Sequence, residues 1–174
     1  MMQSNIIQWQ SIPEMQVRID GHDDFVLSRE IFRNKFSLLF SVVCPFKEEC
    51  TQQLLEYERY CEENLFPNQI SDVYCISTSD HHVMKKWFEI NNINHVKFIA
   101  DGNAGFTTAL LKKTYHVYEG LGLRTRKYSG VIMDNMIEYM IGPFDNVDQM
   151  KIFDYSKVTP EEILKYFSTN RAEE

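Results

Sequence analysis

The sequence predicts one α/β domain over residues 1–174, with a mixed central sheet and helices flanking it. Three observations carry that expectation. Short apolar runs alternate with segments of helical periodicity through the first two thirds of the chain; a hairpin signal and a capped helix follow; and no repeat, low-complexity tract or linker divides the 174 residues. A chain of that length supports one sizeable core, and two would be cramped.

Taken in order, Phe36-Ser-Leu-Leu-Phe-Ser-Val-Val43 is nearly all apolar and rich in strand formers. Such a run reads as a strand buried on both faces, in the middle of a sheet. Asp72–Ser77 and His95–Ala100 have the same character. After Cys50, apolar side chains fall at Leu54, Tyr57, Cys61 and Leu65, spacings of three and four that place them on one helix face. Val83–Asn91 reads as a second helix carrying Trp87, with Asp80 as its N-cap, and Ala104–Lys113 as a third. Strands alternating with helices imply right-handed crossovers and a parallel core. The remainder differs. Tyr128–Met133 and Met136–Ile141 flank Asp134-Asn135, two residues that tolerate φ > 0, and so read as a β-hairpin. Thr159 can cap a last helix with Pro160 in its first turn and Glu162 three residues on, and Ile163, Tyr166 and Phe167 give it an apolar face. A βαβα half followed by a hairpin and a helix is the thioredoxin-like arrangement.

Composition excludes several classes of function. Apolar residues make up 44% and charged residues 25%, ordinary globular usage. A formal net charge of −7 argues against sequence-independent nucleic-acid binding, which needs a basic surface. No apolar run approaches the roughly 20 residues that span a bilayer. Met1 to Pro13 has no basic stretch leading into an apolar one, so no secretory signal is expected and the cytoplasm is the expected location. Cys44, Cys50, Cys61 and Cys75 are too few for a disulfide scaffold. In a reducing compartment such residues are buried, reactive or metal-bound.

Cys50 stands out by position. It follows a buried strand and a short loop and falls in the first turn of a helix, where the dipole and free backbone N–H groups favour a thiolate. Sites also form beyond the carboxyl ends of strands in open α/β sheets. Position alone leaves a second reading open, a structural cysteine at a helix start.

Further segments bear on that choice. Leu39-Phe40-Ser41-Val42 running through Phe46 to Cys50, Cys75-Ile-Ser-Thr-Ser-Asp80 followed by Val83-Met84 and Trp87, Phe98-Ile-Ala-Asp-Gly-Asn103 with Phe106-Thr107, and Gly120-Leu-Gly-Leu-Arg-Thr-Arg-Lys-Tyr-Ser129 occur in that order. Together they resemble the type-5 (redoxin) peroxiredoxins over nearly the whole chain. The resemblance implies that Cys50 is the peroxidatic cysteine of a thiol peroxidase. Its thiolate would attack hydrogen peroxide or an alkyl hydroperoxide, giving a sulfenic acid that a second thiol reduces. It implies glutathione, glutaredoxin or thioredoxin as reductant and makes a weak homodimer a fair expectation; no cofactor is expected, residue spacing supports no metal, and charge and hydropathy give no nucleic-acid or membrane partner. Cys75, 25 residues after Cys50, resembles the resolving cysteine of plant type-II members, while a buried strand cysteine is by default a small hydrophobe.

The loop departs from the family pattern. The family's proline, threonine and arginine align with Val43, Lys47 and Lys127, its later histidine with Leu54, and Glu48-Glu49 replace Pro-Thr before Cys50. Adjacent carboxylates are expected to raise the thiol pKa, while Lys47 and Lys127 are expected to lower it and to donate to a peroxide oxygen. Lysine is a flexible point charge, not a planar fork, and cannot accept a hydrogen bond from the peroxide. Weakened or altered peroxidase activity is therefore expected. The alternative is a catalytically degenerate module that senses redox state or binds a partner.

Other features are assigned to structure. Cys61 fits the helix stripe as core, and Cys44, at a family glycine, could bridge to Cys50 only if the loop opens. His81 and His82 point apart and cannot easily share an ion. Lys112-Lys113 is expected at a solvated helix end, and Arg124-Thr-Arg126-Lys127 at the rim of the site or on a solvated strand edge. Phe46, Trp87, Phe106 and Tyr128 are expected in the core or a family dimer interface.

Overall fold

The computed structural model describes residues 6–7, 9–142 and 158–170. In chain order its elements are β1 (Ile6–Ile7), β2 (Gln10–Ser11), β3 (Gln16–Ile19), β4 (Val26–Leu27), α1 (Ser28–Ile31), β5 (Phe36–Ser41), α2 (Glu48–Glu62), β6 (Asp72–Ser77), α3 (His81–Ile90), β7 (Lys97–Ala100), α4 (Gly105–Ala109), β8 (Lys113–His116), β9 (Gly122–Thr125), β10 (Ser129–Met133), β11 (Met136–Ile141) and α5 (Pro160–Asn170). The three apolar runs become β5, β6 and β7, paired in parallel with Phe40 opposite Cys75 and Cys75 opposite Phe98. Antiparallel strands complete a mixed sheet in the order β1-β11-β10-β5-β6-β7-β3-β4, with β2 also on β11.

Alternation along β5 explains why the run is apolar throughout. Leu38 and Phe40 face a cluster formed with Cys50, Leu54 and Tyr57 of α2, Trp87 of α3 and Ile163 of α5. Leu39 faces the other cluster, with Phe32, Ile76, Phe106 and Tyr128. A period of two with both faces covered requires hydrophobes at consecutive positions. The Asp134-Asn135 turn has φ of 44° and 66°, and the left-handed pair closes β10 on β11 as its residues predict. Asp80 caps α3, accepting from the Val83 N–H at 3.0 Å.

Several expectations are corrected. Helix α2 ends at Glu62, so Leu65 lies beyond it and is 42% exposed. The third helix is five residues long and does not reach Lys113, because Leu111 turns left-handed at φ 58°. Lys112 is then not a solvated helix-end cation. Its side chain is fully buried, with Nζ donating to the Gly142 carbonyl at 3.1 Å and lying 5.6 Å from the Tyr128 ring centre. Burying an ammonium demands such partners. Strands β1 to β4, two to four residues each, and the β8–β9 hairpin carry too few residues for periodicity to announce them.

Candidate thiol site

Cys50 is the third residue of α2, a helix that starts from extended backbone at Lys47 with no side chain capping it. The first hydrogen bond of the helix ladder runs from the Thr51 N–H to the Lys47 carbonyl at 2.9 Å, so Cys50 precedes the ladder. Glu48 and Glu49 occupy the first turn, where carboxylates complement the positive helix end. Thr51 Oγ1 accepts from the Trp87 indole N–H at 3.0 Å and ties this turn to α3.

Cys50 is 2% exposed and belongs to the buried cluster that also holds Phe40, Leu54, Cys75, Met84 and Trp87. Burial pushes its thiol pKa up. The backbone N–H groups of Cys44 and Val43 and the charge of Lys127 work against that rise without cancelling it. Burial, not the adjacent carboxylates, is thus the largest influence on this sulfur. Complete burial on the central strand β6 pushes the Cys75 thiol well up, and the charge of Cys50 adds to that rise.

The Ser41 hydroxyl bonds the lysine turn on both sides of Lys127. Ser41 Oγ, at the end of β5, donates to the Arg126 carbonyl at 2.6 Å and accepts from the Tyr128 N–H at 2.8 Å. The Ser41 N–H also donates to the Tyr128 carbonyl at 3.0 Å. These bonds bracket Lys127 and fix its backbone beside the strand that feeds the Cys50 loop. A serine inside an apolar strand was the sequence signal for this hub, since a buried hydroxyl requires partners. Arg124, of the same basic cluster, turns away instead, donating to Ser79 Oγ at 3.0 Å and to the Leu121 carbonyl at 2.7 Å.

Lys47 is engaged elsewhere. Its Nζ lies 2.7 Å from Glu119 Oε2 on the turn between β8 and β9, and 3.1 Å from Glu49 Oε1. The Glu119 and Glu49 carboxylates hold the Lys47 ammonium well above the usual lysine range. Among the groups predicted for the site, Cys50 and Cys75 share one buried cluster, Lys127 acts on Cys50 through its charge, and Lys47 is directed to the rim. Glu119, its partner there, was missed because nothing in the hairpin sequence links it to residue 47. Of the two places expected for Phe46, core or dimer interface, its 54% exposure excludes the core; the residue is held left-handed at φ 67°. Trp87, Phe106 and Tyr128 are core, as expected. Cys61 packs partly buried against the same cluster as Cys50. His81 sets its ring edge-on to Phe98 at 5.4 Å, and His82 is exposed.

A sulfur placed where a parallel strand hands over to an uncapped helix defines a class, the thiol proteins of thioredoxin-like fold. Comparison with known proteins narrows it. Residues 10–155 match the Redoxin family. A peroxiredoxin of Rhizobium etli is 31% identical over 137 residues, 78% of this chain and 76% of that protein. Peroxiredoxin y4vD of Sinorhizobium fredii is 29% identical over 143 residues, 82% of this chain and 76% of the relative. Among solved structures, the Plasmodium falciparum antioxidant protein, a 1-Cys peroxiredoxin, superposes with a TM-score of 0.83 over 94% of this chain and 99% of its own, at 24% identity. Reduced Prx3 of Vibrio vulnificus in complex with H2O2 gives 0.78 over 92% and 98%, at 25% identity. The chain belongs to the Redoxin family and is peroxiredoxin-like in sequence and fold.

Proposed function

We propose that the protein is a thiol peroxidase in which Cys50 is the peroxidatic cysteine, acting on hydrogen peroxide or an alkyl hydroperoxide. The observation that carries the reading is Cys50 in the uncapped first turn of α2, where the Val43 and Cys44 backbone N–H groups and the charge of Lys127 favour its thiolate against the cost of burial. Charge moves from sulfur to the leaving oxygen as the O–O bond breaks. Donors already aimed at that region stabilise the transition state more than the bound peroxide. The thiolate attacks one peroxide oxygen, the sulfur is oxidised to sulfenic acid, and the other oxygen leaves as water or alcohol after taking a proton. Lys127 supplies positive charge for that step. Lys47 acts at one remove, neutralising Glu49 beside the reactive loop and anchoring the loop to the β8–β9 turn.

A thiol reductant closes the cycle, with glutathione, glutaredoxin and thioredoxin as candidates and Cys75 as a candidate resolving thiol. The exposed Phe46 ring at the mouth of the loop supports a weak homodimer through that face. Among the described residues no helix is long and apolar enough to cross a membrane, and a cytoplasmic location suits free thiols. The raised thiol pKa and the diversion of Lys47 favour a second reading, a slow or degenerate member acting as a redox-sensing or binding module. Mixing the purified protein with hydrogen peroxide and following thiol loss at Cys50 separates the two. Oxidation much faster than that of a free thiol is the expected result; a rate equal to that of a free thiol ends the peroxidase reading.

A further inference from the structure

We propose that Gln53 is a catalytic residue whose amide oxygen accepts the hydrogen bond of the incoming hydroperoxide O–H, a role that rests on Cys50 being the peroxidatic cysteine. Gln53 follows Cys50 by three residues in α2, and Cys50, Gln53, Leu54 and Tyr57 form one buried stripe of that helix. Residues three apart on a helix have Cβ atoms roughly 5–6 Å apart, and a long side chain leans back over the turn before its own Cα. For Gln53 that turn is the one carrying Cys50.

The two ends of the carboxamide differ. Nε2 donates to the Ser41 carbonyl at 3.4 Å, and the hydroxyl of the same serine bonds both sides of Lys127. Gln53 thus ties the thiol helix to the residue that brackets the lysine turn. Turning the amide over would set two oxygens against each other, so this bond fixes which end is Oε1. Oε1 is buried and has no hydrogen-bond partner among the described residues, on a side chain whose residue is only 8% exposed. A buried amide oxygen without a donor is costly, and such a group calls for an explanation. Donors around it are committed: the Trp87 indole to Thr51 Oγ1 at 3.0 Å, the Ser41 hydroxyl to the Arg126 carbonyl at 2.6 Å, and the Tyr57 hydroxyl to the Val158 carbonyl at 3.2 Å. A substrate O–H completes the set.

A hydroperoxide brings that donor and needs an acceptor for it. Lys47 in the loop offers none, and its ammonium is turned to Glu119. With its O–H bonded to Oε1, the terminal oxygen is held for attack by the thiolate. The S–O bond forms as the O–O bond breaks, and the O–H bond stays intact as that of the sulfenic acid. The other oxygen leaves with the O–O electron pair and takes a proton from solvent, giving water or alcohol. Gln53 accepts from the same hydrogen before and after the step, and itself neither gains nor loses a proton.

Two oxidants with and without an O–H test the assignment in the full chain. Hydrogen peroxide donates to Oε1, whereas methyl methanethiosulfonate reports thiolate reactivity and access with no donor of its own. Both rates are read at Cys50 from the mass of tryptic peptide 48–59. Gln53→Met is expected to slow the peroxide reaction about tenfold, the scale of one buried hydrogen bond, and to leave the thiosulfonate rate within about twofold. Gln53→Glu, which keeps an acceptor at the same reach, should hold the ratio of the two rates near the wild-type value. If Gln53→Met fails to fold, Gln53→Asn withdraws the acceptor by one methylene and should give the same selective loss. Unchanged peroxide reactivity, or a parallel fall in both rates, overturns the proposal while leaving the peroxidatic reading intact. A wild-type chain that reacts with peroxide no faster than a free thiol removes both.

Discussion

Helices α2, α3 and α4 each follow one of the parallel strands β5, β6 and β7, and their first turns are built differently. At α3 the Asp80 carboxylate accepts from the Val83 N–H, and at α4 Asp101 accepts from the Phe106 and Thr107 N–H groups at 3.1 and 2.7 Å. At α2 no side chain performs that service, the residue at the cap position is a lysine drawn outward to Glu119, and a buried thiol follows three residues later. A carboxylate satisfies the helix start and closes it to other anions. Its omission leaves the positive end available to a thiolate. The two regions share one topology, and capping separates the structural starts from the chemical one.

Substitutions test that contrast, the largest effect first. Cys50→Ser is expected to abolish thiol-dependent peroxide consumption altogether; residual turnover at the wild-type rate would move the chemistry to another cysteine. Lys127→Met is expected to slow reaction with peroxide by about a hundredfold, the scale of losing one transition-state donor. Lys127 charge lowers the Cys50 thiol pKa, so its removal must shift the pH midpoint of iodoacetamide reaction upward, and Lys127→Arg should restore most of that shift. In the wild-type chain burial holds the pKa above the ordinary thiol value. Its alkylation rate should therefore keep rising with pH beyond the point where a free cysteine levels off. At the capped starts the effect should be on stability alone. Asp101→Ala is expected to cost about 2–3 kcal/mol in urea unfolding, the worth of buried hydrogen bonds to a charged acceptor. Asp80→Ala, an exposed cap, should cost about 1 kcal/mol with Cys50 reactivity unchanged.

The sequence was most informative where one local rule decided the outcome. Double-sided burial made β5, β6 and β7 readable, paired left-handed residues marked the β10–β11 turn, and Asp80 announced α3. Position relative to strand and helix also singled out Cys50. What escaped notice depends on contacts remote in the chain. Ser41 is bonded to residues 85 and 87 positions away, and Lys47 to one 72 positions away. Lys112 looked like a surface charge because lysine usually is one, and the carbonyl of Gly142 and the Tyr128 ring, both remote in the chain, are among the partners that receive it in the interior. The left-handed turn at Phe46 exposes its ring, which excludes one of the two places expected for it, the core, and leaves the other.

Gly142, just past β11, sits at φ 152° with the Lys127–Tyr128 backbone pressed against its Cα: a methyl group there would come within 2.5 Å of Tyr128 Cβ and 2.9 Å of the Lys127 carbonyl. Neither neighbour is the tip of a flexible side chain, so accommodating even alanine means displacing main chain. The smallest side chain in the protein thereby sets how close the backbone of the ammonium-bearing turn stands to the end of β11. A search for activity-altering variants confined to the residues around the thiol would pass over the spacer that holds their geometry.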